Sequence, residues 1–227
     1  MSNLDNVQRR LAEGTSSWLL FEFNCKRGDL FSEKYLATPI GQILAGLFPG
    51  RIKAEINHPA LISTKQAGRP PQLDFVVINE ADEWEATIES KWVTSTPISL
   101  ALIIWDLLRL EILVYKNLCK NTYFVLSGFS KKMDFLKETH FYDSSNRSTS
   151  LITQMKSQSI YLDLTKLDSK IKSKINEKIN KYPGLTIPQV MRFDLPHSFP
   201  INQINMTFRT IVWKVNTFNK RPRIRTL

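Results

Sequence analysis

Two cysteines, three histidines and eight glycines among 227 residues leave several kinds of chemistry without material. Cys25 and Cys119 stand far apart and neither belongs to a CxxC pair, which excludes a disulfide framework and the ligand spacing of a structural zinc site. His58, His140 and His197 are too scattered for a metal cluster or a nucleophilic triad. A glycine-rich loop that would cradle a nucleotide's phosphates is missing, and with it an NTPase motor. No uncharged apolar run reaches the roughly 18 residues of a membrane span. The longest run, PISLALIIWDLLRLEILVY, is broken by Asp106, Arg109 and Glu111 and reads as a buried helix. The opening MSNLDNVQRRLAEG lacks the basic-then-apolar build of a secretion signal, and no internal repeat is evident. These absences predict a globular protein of a reducing cytoplasm with no membrane partner.

What is present is an uneven distribution of charge. Residues 1–91 carry 10 Lys and Arg against 12 Asp and Glu, a net of −2, while residues 92–227 carry 21 against 9, a net of +12. Such a split suits a protein that holds a polyanion with one region and keeps carboxylates for another task, although a basic tail that only aids solubility has the same composition. Lys170, Lys172, Lys174, Lys178 and Lys181 cover the polar face of one basic helix. Arg209, Lys214, Lys220, Arg221, Arg223 and Arg225 form a tail with no acid among them.

Hydrophobic periodicity predicts a helical region over residues 16–48 with a break at Lys26 to Asp29, and Pro39 marks a kink or a boundary inside it. Strands are expected at 51–62, 73–78 and 83–93, as a three-strand meander. A long buried helix follows over 97–118, then a fourth strand at 122–127. Beyond Ser130 the pattern weakens to a short amphipathic helix, the loop DSSNRSTS, a strand at 159–164, the basic helix at 166–181 and a strand at 206–215. The last residues, NKRPRIRTL, read as frayed. Within the long helix, Asp106 and Arg109 lie three residues apart. They read as an ion pair on an exposed stripe, or else Arg109 reaches towards a site or a phosphate.

Two of the expected core strands contain charges that are costly to bury. In PPQLDFVVINEADEWEATIESKWV, Asp74 lies near the start of one apolar run and Glu89-Ser90-Lys91 near the end of the next. Residues two apart on a strand face the same way, so Glu89 and Lys91 share a face. If the neighbouring strand sets Asp74 beside them, two carboxylates and an ammonium converge, and the carboxylates repel unless a proton or cation relieves them. An all-oxygen site suits Mg²⁺, with Mn²⁺ as a substitute. A cation that polarises a phosphate and lowers the pKa of water, beside a lysine that assists that water, makes up a phosphodiester-hydrolysing site.

Asp74, fourteen intervening residues, then Glu89-Ser90-Lys91, in helix-strand-strand-strand-helix-strand order, resembles the PD-(D/E)xK nuclease superfamily over about residues 16–130. Pro71 stands three positions before Asp74 rather than directly before it. The resemblance implies an α/β fold with a restriction-endonuclease-like core, a mixed central sheet flanked by helices, over residues 1–130. Residues 131–227 are then a basic C-terminal extension packed on that core for DNA binding or dimerisation. It implies that Asp74, Glu89 and the Ser90 carbonyl hold the metal, and that Lys91 assists the water. A further glutamate from the first helix often completes such sites; Glu33 is the first choice, with Glu22 and Glu55 as the others. DNA contacts are expected at Lys65, Arg69, Lys214, Lys220, Arg221 and Arg223. The expectation is a Mg²⁺-dependent DNA endonuclease, most like a type II restriction enzyme or defence nuclease, acting as a homodimer on duplex DNA. A repair or recombination nuclease directed to junctions or ends, and a nucleic-acid binding protein without catalysis, are the alternatives.

Overall fold

The computed structural model describes residues 6–62, 70–93, 99–133, 152–154, 159–200, 207–217 and 222–227. Helix α1 (Val7–Asn24) buries Val7, Leu11, Thr15 and Leu19, a stripe at four-residue spacing. It starts nine residues before the expected helical region, because Val7 and Leu11 extend that stripe through a polar stretch. The break falls where expected, with Lys26 in the left-handed region at φ 63°. Ser32 then caps α2 (Glu33–Leu47), its side chain accepting a hydrogen bond from the Tyr35 amide. Pro39 makes no boundary. The helix continues through it, since Leu36, Ile40 and Leu44 form one buried row across that point and Pro39 is itself buried in it.

Strands β1 (Ile52–Asn57), β2 (Gln72–Ile78) and β3 (Trp84–Val93) form the antiparallel meander. Helix α3 (Leu100–Tyr115) crosses over to β4 (Asn121–Phe129), which runs parallel to β3 with Glu89 beside Phe124 and Lys91 beside Leu126. A short turn of helix, α4 (Ser130–Met133), follows directly. The remaining elements are β5 (Ile152–Gln154), β6 (Ser159–Asp163), α5 (Ser169–Ile179), β7 (Ile187–Pro188), β8 (Val190–Asp194), β9 (His197–Phe199), β10 (Phe208–Asn216) and β11 (Arg223–Ile224). Among the described residues one sheet of nine strands runs in the order β1-β2-β3-β4-β10-β8-β6-β5, with β9 also on β10, and β7 pairs with β11 apart from it. The fold is α/β, with a mixed sheet flanked by helices.

Two cores lie on opposite faces of this sheet. On one, Leu11, Leu36, Ile40 and Leu44 of α1 and α2 cluster with Phe75, Ile88, Val125 and Val212. On the other, Ile104 and Leu108 of α3 and Ile175 and Ile179 of α5 cluster with Val76, Val93, Phe124 and Phe193. At roughly 25 cal/mol per Å² of apolar surface, these two layers are the main source of stability.

The C-terminal part contributes a central strand as well as covering layers. β10 pairs with β4 from Phe208↔Phe129 to Val215↔Thr122, so the sheet is continuous across the expected boundary at residue 130. The described part of the tail, residues 222–227, is not frayed either. Arg223 and Ile224 pair with Pro188 and Ile187, and the amide of Leu227 donates to Asn176 Oδ1 at 3.0 Å. No helix among the described residues is long and apolar enough to cross a membrane.

Candidate active site

The antiparallel register of β2 and β3 pairs Phe75 with Ile88, and one residue further it faces Asp74 with Glu89. Period-two alternation then turns Asp74, Glu89 and Lys91 to the α3 side of the sheet, with the apolar Val76 and Val93. Asp74 is fixed from β3: its Oδ2 accepts from both the amide and the hydroxyl of Ser90, each at 2.7 Å. Two donors on one oxygen lock the carboxylate and leave Oδ1 outside that pair of bonds.

Glu89 is 4% exposed, and its partner comes from α3. Arg109 Nη2 lies 2.6 Å from Glu89 Oε1, and the same guanidinium reaches Asp106 Oδ1 at 3.3 Å and the Gln72 carbonyl. The Glu89 contact is an ion pair without hydrogen-bond alignment, because Oε1 is buried with no hydrogen-bond partner. Burial pushes the Glu89 pKa well above the ordinary carboxylate range; Asp106 and Asp74 add to this, while Arg109 and Lys91 pull against it.

Lys91 joins two helices. Its ammonium lies 3.0 Å from Glu33 Oε1, at the start of α2, and 3.1 Å from Asp106 Oδ2 of α3. Burial works against the lysine's charge, but Asp106 and Glu33 outweigh it and hold the pKa above the usual lysine value. Glu33 is shifted upward, chiefly by burial and further by Asp74 and Asp106, against the pull of Lys91. The structure therefore brings Asp74, Glu89, Ser90, Lys91 and Glu33 together.

It does not bring in the other glutamates. Glu22 is held by the Tyr35 hydroxyl at 2.7 Å and by Arg27 at 3.0 Å, and Glu55 of β1 is exposed. Asp106 and Arg109 do not sit on an exposed stripe. They form their i, i+3 pair and face the sheet, with Asp106 6% exposed, because α3 is covered on several sides; Arg109 reaches Glu89 of β3, as the second of the two sequence readings had it. Periodicity revealed the pair; only the packing of α3 on β3 shows where it points. His58 also stands behind the site, 3.0 Å from the Arg109 carbonyl.

No family model, no curated protein and no solved structure matches this chain. What the site can do rests on its geometry. Taken as ionised, the four carboxylates of Glu33, Asp74, Glu89 and Asp106 face two cations, Lys91 and Arg109, a deficit of two positive charges. In kind and in charge these oxygens fit a hard divalent cation. Their present disposition answers to Lys91 and Arg109 instead, and among the described residues no group of three or more Asp, Glu, His or Cys side chains is disposed to hold a metal ion.

The nucleic-acid contacts expected from sequence are divided. Lys65, Arg69, Lys220 and Arg221 lie outside the described residues, and Lys214 is half-buried on β10. Arg223 is engaged elsewhere: it grips the fully buried Glu111 at 2.7 and 3.0 Å, donates to the Thr186 carbonyl at 2.8 Å and stacks over Tyr115. Its charge neutralises an internal carboxylate and is not presented to a phosphate.

Proposed function

We propose that the chain is a metal-dependent DNA endonuclease with a restriction-endonuclease-like core of the PD-(D/E)xK kind. The observation that carries this is the convergence of Asp74, Glu89 and Lys91 on one face of adjacent strands, with Glu33 from α2. Asp74, Glu89 and the Ser90 carbonyl, with Glu33 beside them, would hold Mg²⁺ or Mn²⁺, which supplies Lewis acidity to a phosphodiester and lowers the pKa of water. Ser90 keeps Asp74 aimed. Lys91, kept protonated by its acidic neighbours, donates hydrogen bonds to the attacking water and to the negative charge that develops. It does not take a proton at neutral pH.

Purified protein incubated with plasmid DNA and Mg²⁺, with and without a chelator, tests this reading. Cutting that needs the metal is expected, with Lys91→Ala lowering the rate about 10²- to 10³-fold. Asp74→Asn is expected to lose cutting and keep DNA binding. A type II restriction enzyme would give products at one fixed sequence and sediment as a dimer, whereas structure-dependent products point to a repair or recombination nuclease. The Glu89–Arg109 ion pair favours one further reading, a DNA-binding protein in which Glu89 is a structural acid paired with Arg109. In that case neither substitution changes anything measured on DNA.

A further inference from the structure

Helix α5 carries four lysines and one glutamate in eleven residues. Lys170, Lys174 and Lys178 recur at four-residue steps and so line one side of the helix over about 12 Å, with Lys181 just past its end. Like charges at this spacing repel and weaken a helix by a few tenths of a kcal/mol per pair. Lys172 is occupied separately, donating to the Thr165 carbonyl at 2.8 Å. Lys170, Lys174 and Lys181 are exposed, and neither these three nor Lys178 takes part in a salt bridge among the described residues.

The row ends against α3, at the residue before Asp106. α5 packs on α3 through Ile175 and Ile179. Beyond them the Lys178 ammonium sits 5.7 Å from the ring centre of Trp105, the residue before Asp106 on α3. Tyr182 stacks on the same indole at 6.2 Å and 14°, closing that corner. Burial lowers the Lys178 pKa, Asp106 raises it, and Lys181, Arg109 and Lys91 lower it. Lys178 therefore feels Asp106 of the site, together with Arg109 and Lys91, without being paired to any of them.

We propose that the Lys170-Lys174-Lys178 row seats the phosphate backbone of bound DNA, with Lys178 the contact nearest the scissile phosphate and the other two following the strand away from the site. This rests on the nuclease reading for its choice of ligand. A backbone led along α5 would pass Trp105 and approach the acids from the α3 side, where Lys91 and Arg109 are already paired with carboxylates. Contacts of this kind give affinity without sequence preference.

The test measures binding of a fluorescent 30-base-pair duplex in EDTA across a salt series, for wild type and for Lys178→Gln, Lys174→Gln and Lys120→Gln. Lys120 is exposed and precedes β4, so its variant controls for the loss of any one charge. Each row variant is expected to reduce the slope of log K against log salt by about 0.9, the loss of one phosphate contact, with Lys120→Gln unchanged. DNA binding in which the row variants behave like Lys120→Gln overturns the proposal and leaves the nuclease reading standing. Row-dependent binding of DNA that Mg²⁺ never causes to be cut supports the seat and removes the nuclease. Wild type that does not bind DNA at low salt overturns both.

Discussion

Acidification should weaken this fold through one histidine. His58 is fully buried where β1 ends, and its ring bridges two backbones: Nδ1 accepts from the Ala60 amide at 3.2 Å and Nε2 lies 3.0 Å from the Arg109 carbonyl. Because Nδ1 accepts, the proton of the neutral ring sits on Nε2 and is donated to Arg109, so a second proton has no acceptor. Burial lowers the pKa to about 4 from the usual 6.5. Between these values the unfolded chain binds a proton that the folded chain refuses, so stability rises with pH across this range. The contribution is complete above about pH 6.5 and is lost as pH falls towards 4. At 1.36 kcal/mol per pH unit the difference comes to about 3 kcal/mol. Urea denaturation at pH 7, 6, 5 and 4 of wild type and His58→Gln isolates it, since every other titrating group is common to both. Wild type is expected to lose about 3 kcal/mol more than the variant over that interval. Parallel curves, or a native His58 resonance titrating near 6.5, would refute the assignment.

Two further outcomes follow from buried charge. Arg223→Ala leaves Glu111, 0% exposed, without its guanidinium; the expected loss is about 3–5 kcal/mol, or about 6–20 °C in Tm, with the salt slope of DNA binding unchanged at temperatures where the variant is folded. A DNA-contacting Arg223 would give the opposite result, a lower slope at constant Tm. Arg109→Leu strips the cation from Glu89 and is also expected to cost about 3–5 kcal/mol. Millimolar Mg²⁺ should raise the Tm of this variant more than that of wild type, read by scanning calorimetry. Equal rises would show that a cation does not visit Glu89.

The part of the site that was legible in the sequence lies on two consecutive strands. Asp74, Glu89 and Lys91 were visible because they interrupt apolar runs, and strand alternation alone puts the latter two on one face. Glu33 could be shortlisted only by its place at a helix start, since no local pattern tells which way a first-turn glutamate leans. Asp106 and Arg109 were visible as a pair, with an exposed stripe and a reach towards the site as the two readings, and the sequence could not choose between them, because spacing along a helix says nothing about how many neighbours cover it. In the C-terminal third the strand at 159–163, the basic helix and β10 were legible, while the smaller strands and the pairing were not. β7, β8 and β9 are short, with Pro188, Pro196 and Pro200 in or beside them, and β10 finds its partner about eighty residues earlier in the chain. Long-range pairing leaves no periodic mark in either segment.

The position of β10 in the middle of the sheet also sets a timetable. All five residues brought together at the site, with Asp106 and Arg109, have been synthesised by residue 109, and β4 is complete at Phe129. The strand that covers the open edge of β4 ends at Asn216, 87 residues later. At 5–20 residues per second this takes roughly 4–17 s. For that time the ribosome-bound chain presents TYFVLS, an apolar strand with one bare edge, to its surroundings. Products of early termination before residue 208 keep that edge permanently. The late strand β10 therefore decides how long the earlier part of the sheet carries a bare edge.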